Sequence, residues 1–347
     1  MSAPEGPVVK SLVYKGYPPD HCCCDSCLRI MPDGTWAAIF MTGGKSEPEP
    51  ENHIRICHST DSGYTWSKAE VVHQFADRAC LLSEVYVEGD VVTMFVETHT
   101  GRFGDWKVST TRSADSGRTW SDLEPFVPAP RRAFVRNRFV ASWGEWFLPL
   151  QSYDIVDDPT PSPMKDGSFK TPYDAALVSG DQGKTWAQSG RIEPCHAWAE
   201  SNITELSDGR LVMLVRYDGS GCLYRSDSTD RGRTWTEAEP TSIPNPGSKI
   251  RLHRLSDGRI CLVHNPNSAT SHPNSKRAAN CNRNPLSLWM SDDDMRTWGY
   301  RQDLIDFPGM LAYPDGIIDD KEEWLHFTFD YNRHDVIYVG VKLPDGK

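Results

Sequence analysis

The sequence predicts an all-β protein, a single six-bladed β-propeller over residues 1–347. Three observations carry that prediction. An octapeptide occurs five times: STDSGYTW at Ser59–Trp66, then SADSGRTW, SGDQGKTW, STDRGRTW and SDDDMRTW. Its spacing, on the order of 50–65 residues, is that of a repeat architecture. Six apolar, β-branched segments each fold about a short polar turn: IMPDGTWAAIFM, YVEGDVVTMFVE, VASWGEWFLPLQ, ELSDGRLVMLVR, RLSDGRICLVHN and IIDDKEEWLHFTF. No stretch has convincing amphipathic helical periodicity.

Each element follows from its residues. The pattern S-x-D-x-G-x-T-W is the chemistry of a tight turn. The aspartate accepts backbone N–H bonds, glycine supplies positive φ, and Ser or Thr hydroxyls close the loop. The tryptophan opens the next strand and plugs the gap between sheets; in the last copy Met295 replaces the glycine. A hairpin, a third strand, this turn and a fourth strand make one blade. Five turns serve six blades because the chain ends after the last blade's third strand, VIYVGVKL. Its fourth strand is expected from the N-terminal segment VVKSLVYK, which closes the ring.

Composition narrows the function. The net charge is −11 with scattered basic residues, which argues against nucleic acid as a partner. No apolar run approaches the roughly 20 residues that span a bilayer. The start, MSAPEGPVVKSLVYKG, shows no secretory leader, so a cytoplasmic location is expected. Of ten cysteines, three are consecutive at Cys22–Cys24. As a regular strand, DHCCCDSC would put Cys23 and Cys27 on one face with His21 and Asp25, and Cys22 and Cys24 on the other. The paired C-x-x-C spacing of structural zinc is absent, so buried thiols in a reducing compartment are expected rather than a metal.

The five turns resemble the Asp-boxes of the sialidase (neuraminidase) superfamily, and the resemblance covers nearly the whole chain. It implies a pocket on the propeller axis, with three arginines clamping a substrate carboxylate, a tyrosine nucleophile beside a glutamate, and an aspartate acid/base. In WAESNITELSDGRLVMLVRYDG, Glu200 stands where the family's glutamate opens blade four, and Arg216 matches the arginine ending its second strand. In RNPLSLWMSDDDMRTW, Arg283 matches the arginine of blade five. In GMLAYPDGII, Tyr313 resembles the nucleophile, and FDYNRHDVIYV puts Asp330 and Arg333 near the pocket. A phenol with a pKa near 10 attacks well only if a neighbouring carboxylate takes its proton. Sialidases are the tyrosine exception among retaining glycosidases.

Two positions depart from the family. Cys24 stands where the first arginine belongs in an F-R-I-P motif, and Arg29, five residues on, should face away. Arg251, Arg136 or Lys249 could then reach in as a substitute. The acid/base aspartate has no counterpart in KSEPEPENHIRICHSTD; of Glu47, Glu49 and Glu51, Glu49 is nearest the expected register. His53, His99, His196, His253, His264 and His334 flank inner strands and would suit a different catalytic apparatus. The expectation is an exo-acting glycoside hydrolase that cleaves a terminal acidic sugar from a glycan and needs no cofactor. A lyase or hydrolase for uronate- or rhamnose-containing glycans, and a non-catalytic glycan-binding propeller, are the alternatives.

Overall fold

The computed structural model describes residues 8–18, 20–100, 104–130, 132–154, 171–193, 199–268, 283–319 and 321–345. No helix forms among them. Twenty-five strands make six sheets. Blade one is β2 (Cys23–Ile30), β3 (Trp36–Thr42), β4 (His53–Ser59) and β5 (Glu70–His73). Blade two is β6 (Ala79–Glu88), β7 (Val91–Thr100), β8 (Gly104–Ser113) and β9 (Glu124–Pro125). Blade three has a split inner strand, β10 (Ala133–Val135) and β11 (Phe139–Val140), then β12 (Trp146–Asp154), β13 (Thr171–Ser179) and β14 (Ala187–Gln188). Blade four is β15 (Ser201–Glu205), β16 (Leu211–Arg216), β17 (Cys222–Ser228) and β18 (Glu239–Pro244). Blade five is β19 (Arg251–Arg254), β20 (Ile260–His264), β21 (Leu286–Ser291) and β22 (Tyr300–Ile305). Blade six is β23 (Leu311–Ile318), β24 (Trp324–Tyr331), β25 (Asp335–Lys342) and, from the other end of the chain, β1 (Val8–Lys15). β1 pairs antiparallel with β25, from Val8 opposite Val341 to Lys15 opposite Asp335.

The apolar residues form six clusters, which lie chiefly in the gaps between successive blades. In the gap between blades six and one, for example, Val13, Cys23, Trp36 and Tyr338 pack together. Strand alternation produces this arrangement, because each blade presents one side-chain face to each neighbour.

The octapeptides fold as the chemistry requires. In the first, Asp61 accepts from the Thr65 N–H at 2.8 Å and the Thr65 hydroxyl at 2.6 Å, while Ser59 Oγ accepts the Gly63 N–H at 2.9 Å. The other four repeat this pattern, the fifth with the Met295 N–H donating to Ser291 at 2.9 Å. A Cβ on Gly63 would meet the Tyr338 ring at 2.7 Å and one on Gly232 the Phe147 ring at 2.5 Å, so packing as well as positive φ demands glycine there.

The cysteine run does not alternate as a regular strand would. The β2–β3 register shifts between Cys24 and Cys27, and Asp25 takes a φ of +52°. This bulge sends Cys23, Cys24 and Cys27 into three different clusters, so Cys23, Cys27 and Asp25 share no face. The eight described cysteines are all free thiols.

Candidate active site

Every inner strand runs from one end of the ring to its hairpin at the other, and the second strand returns. Residues that start an inner strand or end a second strand therefore meet at one mouth of the axis. Local backbone irregularity aims them. Tyr313 sits in a bulge of β23, where the register shifts between Ala312 and Asp315, and its φ is +56°. Asn137, directly after Arg136, has a φ of +49°, and Arg333, in the turn after β24, has +59°. Such non-glycine conformations cost on the order of 1–3 kcal/mol each and concentrate at functional sites. Here Tyr313, Arg333 and Asp25 (φ +52°) surround one pocket.

The pocket is a ring of charged groups around the Tyr313 phenol. Arg216 Nη1 lies 2.6 Å from Glu200 Oε2 and donates to the Tyr313 hydroxyl at 3.5 Å. Arg216 also grips Asp218 with two nitrogens, at 2.8 and 3.1 Å. Arg136 reaches Asp25 at 2.8 Å and Glu200 at 3.4 Å. The cationic groups of Arg333, Arg283 and Lys249 stand 5.3, 5.4 and 5.9 Å from the centre of the Tyr313 ring. Arg283 donates to the Gly247 carbonyl at 2.8 Å. Arg333 pairs with Glu47, whose other oxygen accepts the Cys24 thiol at 2.7 Å.

Burial and these pairings set the protonation states. Burial raises the Glu200 carboxyl, but Arg216, Arg136 and Lys249 outweigh it and hold the group below its ordinary value, hence ionised. Burial and then Glu200 push the Tyr313 phenol up to about 12, against Arg216, Arg283 and Arg333. Asp330 is fully buried, and desolvation pushes its carboxyl up to about 8 despite Arg333 and Arg283. Burial also raises the Cys24 thiol well above its ordinary value, so it stays protonated. A neutral phenol beside an ionised carboxylate is what a tyrosine nucleophile needs at rest.

Thus Glu200, Arg216, Arg283, Tyr313, Arg136 and Arg333 come together, with Asp330 buried behind them. Two expected residues do not join them. Glu49 turns onto its own loop, accepting the Lys45 N–H at 2.9 Å and the Ser46 hydroxyl at 2.7 Å; Glu47 is the glutamate that reaches the pocket. Arg251 faces the other way, donating to Asn137 at 2.6 Å and lying 3.6 Å from Asp315. With Arg254 and Glu205 it lines a separate cavity of about 390 Å³ towards the hairpin end. Arg29 faces away from Cys24 and pairs with Glu84 at 2.7 Å and with Asp315. Sequence reading missed Asp25 and Asp218; the latter was signalled only by its place two residues after Arg216.

Among the described histidines, His99 and His264 are packing groups rather than parts of a second apparatus. His99 packs edge-on against Trp106 and His264 against Trp289, each with ring centres 4.6 Å apart. Burial lowers both rings to about 3, so they are neutral packing groups. His196 lies outside the described residues.

Six blades with five Asp-box turns define a propeller of the sialidase superfamily. More narrowly, the chain belongs to the BNR repeat-like domain family, whose pattern matches residues 34–325. A sialidase of Clostridium perfringens is 26% identical over 311 residues, 81% of this chain and 78% of that protein. A sialidase of Bacteroides fragilis (strain YCH46) is 25% identical over 349 residues, 90% of this chain but 60% of that protein. Among solved structures, a Hadza microbial sialidase superposes with a TM-score of 0.75 at 17% identity, covering 94% of this chain and 68% of that one. The NanB sialidase of Streptococcus pneumoniae gives a TM-score of 0.71 at 15% identity, covering 97% and 71%. At those identities the superpositions speak for the fold.

Proposed function

We propose that the chain is a sialidase-family glycoside hydrolase that releases a terminal sugar by a retaining route through Tyr313. The observation that carries this reading is the Arg216 guanidinium bridging Glu200 and the Tyr313 hydroxyl. In the first step the phenol oxygen bonds to the anomeric carbon while Glu200 takes the phenol proton. The glycosidic C–O bond breaks as Glu47, in its protonated form, donates to the leaving oxygen. Water then attacks the glycosyl-tyrosine, giving its proton to the Glu47 carboxylate, and the departing phenolate regains its proton from Glu200. The relatives named sialidases support this class of reaction, and the convergence of these side chains at one mouth of the ring suits action on one terminal residue. No cofactor enters any step.

Tyr313→Phe removes one hydroxyl whose only hydrogen bond among the described residues is a long one, so fold and sugar binding should survive within about 1 kcal/mol. Turnover of aryl glycosides should fall by orders of magnitude, because the covalent route closes. Glu47→Gln should slow substrates with poor leaving groups far more than activated aryl glycosides, since only the former need the proton. Products identified by mass and anomeric configuration complete the test. Near-normal turnover by the Phe variant would make Tyr313 structural. An unsaturated sugar product would assign elimination, and binding without turnover a glycan-binding propeller.

A further inference from the structure

The pocket is rich in cations, yet nearly all of them are already engaged by the protein's own acids. Arg216 is 3% exposed and enclosed by carboxylates: Asp218 takes its Nε and Nη2 in the two-pronged geometry that a substrate carboxylate would use, and Glu200 takes Nη1. Arg136 is held between Asp25 and Glu200, and Arg333 is paired with Glu47. Among the described residues, Arg283 is the pocket guanidinium with no carboxylate partner, and its Nη2 is committed to the Gly247 carbonyl. Asp218 is fixed in turn from behind: a Cβ on Gly247 would meet its Oδ1 at 2.6 Å, so the carboxylate is packed against that backbone. A sugar carboxylate arriving at Arg216 would be the third around one buried guanidinium, and like charges at that range repel strongly in a dry site.

Resting on the axial pocket as the glycoside site, we propose that it selects an uncharged terminal sugar, and that Asp218 sets this selectivity by supplying internally the carboxylate that an acidic substrate would bring. The wall that results sets donors (Arg136, Arg216, Arg283) beside acceptors (Asp25, Asp218). Sugar hydroxyls both donate and accept, so they match such a wall, whereas a carboxylate only accepts. Loss of the first family arginine at Cys24 acts in the same direction, replacing a cation with a neutral thiol.

The test compares matched 4-methylumbelliferyl glycosides that differ only in CH₂OH against carboxylate, glucoside with glucuronide and galactoside with galacturonide in both anomers, together with the sialoside. Wild type should turn over the better uncharged member with at least tenfold higher kcat/KM than its carboxylated twin and than the sialoside. Asp218→Asn, and Asp218→Ser as a second variant, should shift that ratio at least tenfold toward the carboxylated substrates, chiefly through KM. Calorimetric binding of the corresponding methyl glycosides makes the same comparison without turnover. Preference of wild type for a carboxylated member, or an unchanged ratio in folded Asp218 variants, overturns the selectivity. Selective binding of uncharged sugars without turnover would sustain it while refuting the hydrolase reading. Binding of neither class would overturn both.

Discussion

Asp330 is completely buried, and its carboxyl is pushed to about 8 mainly by loss of water, with Arg333 and Arg283 pulling the other way. At neutral pH it is therefore a neutral acid. Because the folded value lies above the unfolded value near 3.9, the native state keeps a proton that the unfolded chain releases between about pH 4 and 8. This group's contribution to stability falls as pH rises through that window and is constant above it. Asp330→Asn should accordingly gain on wild type as pH rises from 5 to 8, read as a growing difference in Tm that levels off beyond 8. A pH-independent difference would mean that the carboxyl is ionised throughout. The site residues were legible to different depths for a physical reason. Arg216 and Tyr313 lie within, and Glu200 and Arg283 just before, a strand whose pattern and turn fix its place in the chain. Glu47 and Glu49 lie in a loop without periodicity, where the side chain that turns inward depends on bonds such as Ser46 to Glu49 that spacing does not encode.

Among the elements, the fifth Asp-box shows how packing and backbone preference trade against each other. Met295 adopts a φ of +63° where four other boxes have glycine. A left-handed non-glycine residue costs about 1–2 kcal/mol. Its side chain, however, is buried with Leu206, Val212 and Leu252, where blade four offers aliphatic groups instead of the ring that crowds Gly232. Removing a buried methionine side chain costs about 2–5 kcal/mol, so packing wins. Met295→Gly should destabilise the protein by about 1–3 kcal/mol in denaturant unfolding, although it restores the consensus of the other four boxes. A stabilised variant would show that the strain dominates. Box turns and hairpins were readable because glycine, aspartate and tryptophan recur at fixed offsets. The bulges at Asp25 and Tyr313 were not, since an extra residue in a strand leaves no periodic mark.

At the scale of the molecule, the ring is joined by backbone pairing of β1 to β25 more than by side-chain burial. Only Val13 of β1 is buried, Leu12 is 53% exposed, and Ser11 ties the strand to the first box by accepting the Trp66 N–H at 3.0 Å. Deleting residues 1–15 would leave β25 as an unpaired edge, the kind of surface that recruits another chain. The truncated protein should lose hydrogen-exchange protection along β25 while blade three keeps its own, and it should self-associate on size exclusion. Unchanged protection of β25 would mean that the ring holds without its N-terminal strand.

That junction also imposes an order on biosynthesis. β1 is made before blade one, and its partner β25 follows about 320 residues later. At roughly 5–20 residues per second, the interval is on the order of 15–65 s. Throughout it, the apolar face of blade one that carries Leu28 and Trp36 lacks the part of its opposite wall supplied by Val336 and Tyr338, and only β1 residues such as Val13 are available to it. Blades one to five can stack as they emerge, but a nascent or prematurely terminated chain carries an open seam. The ring closes only after the ribosome has delivered β25.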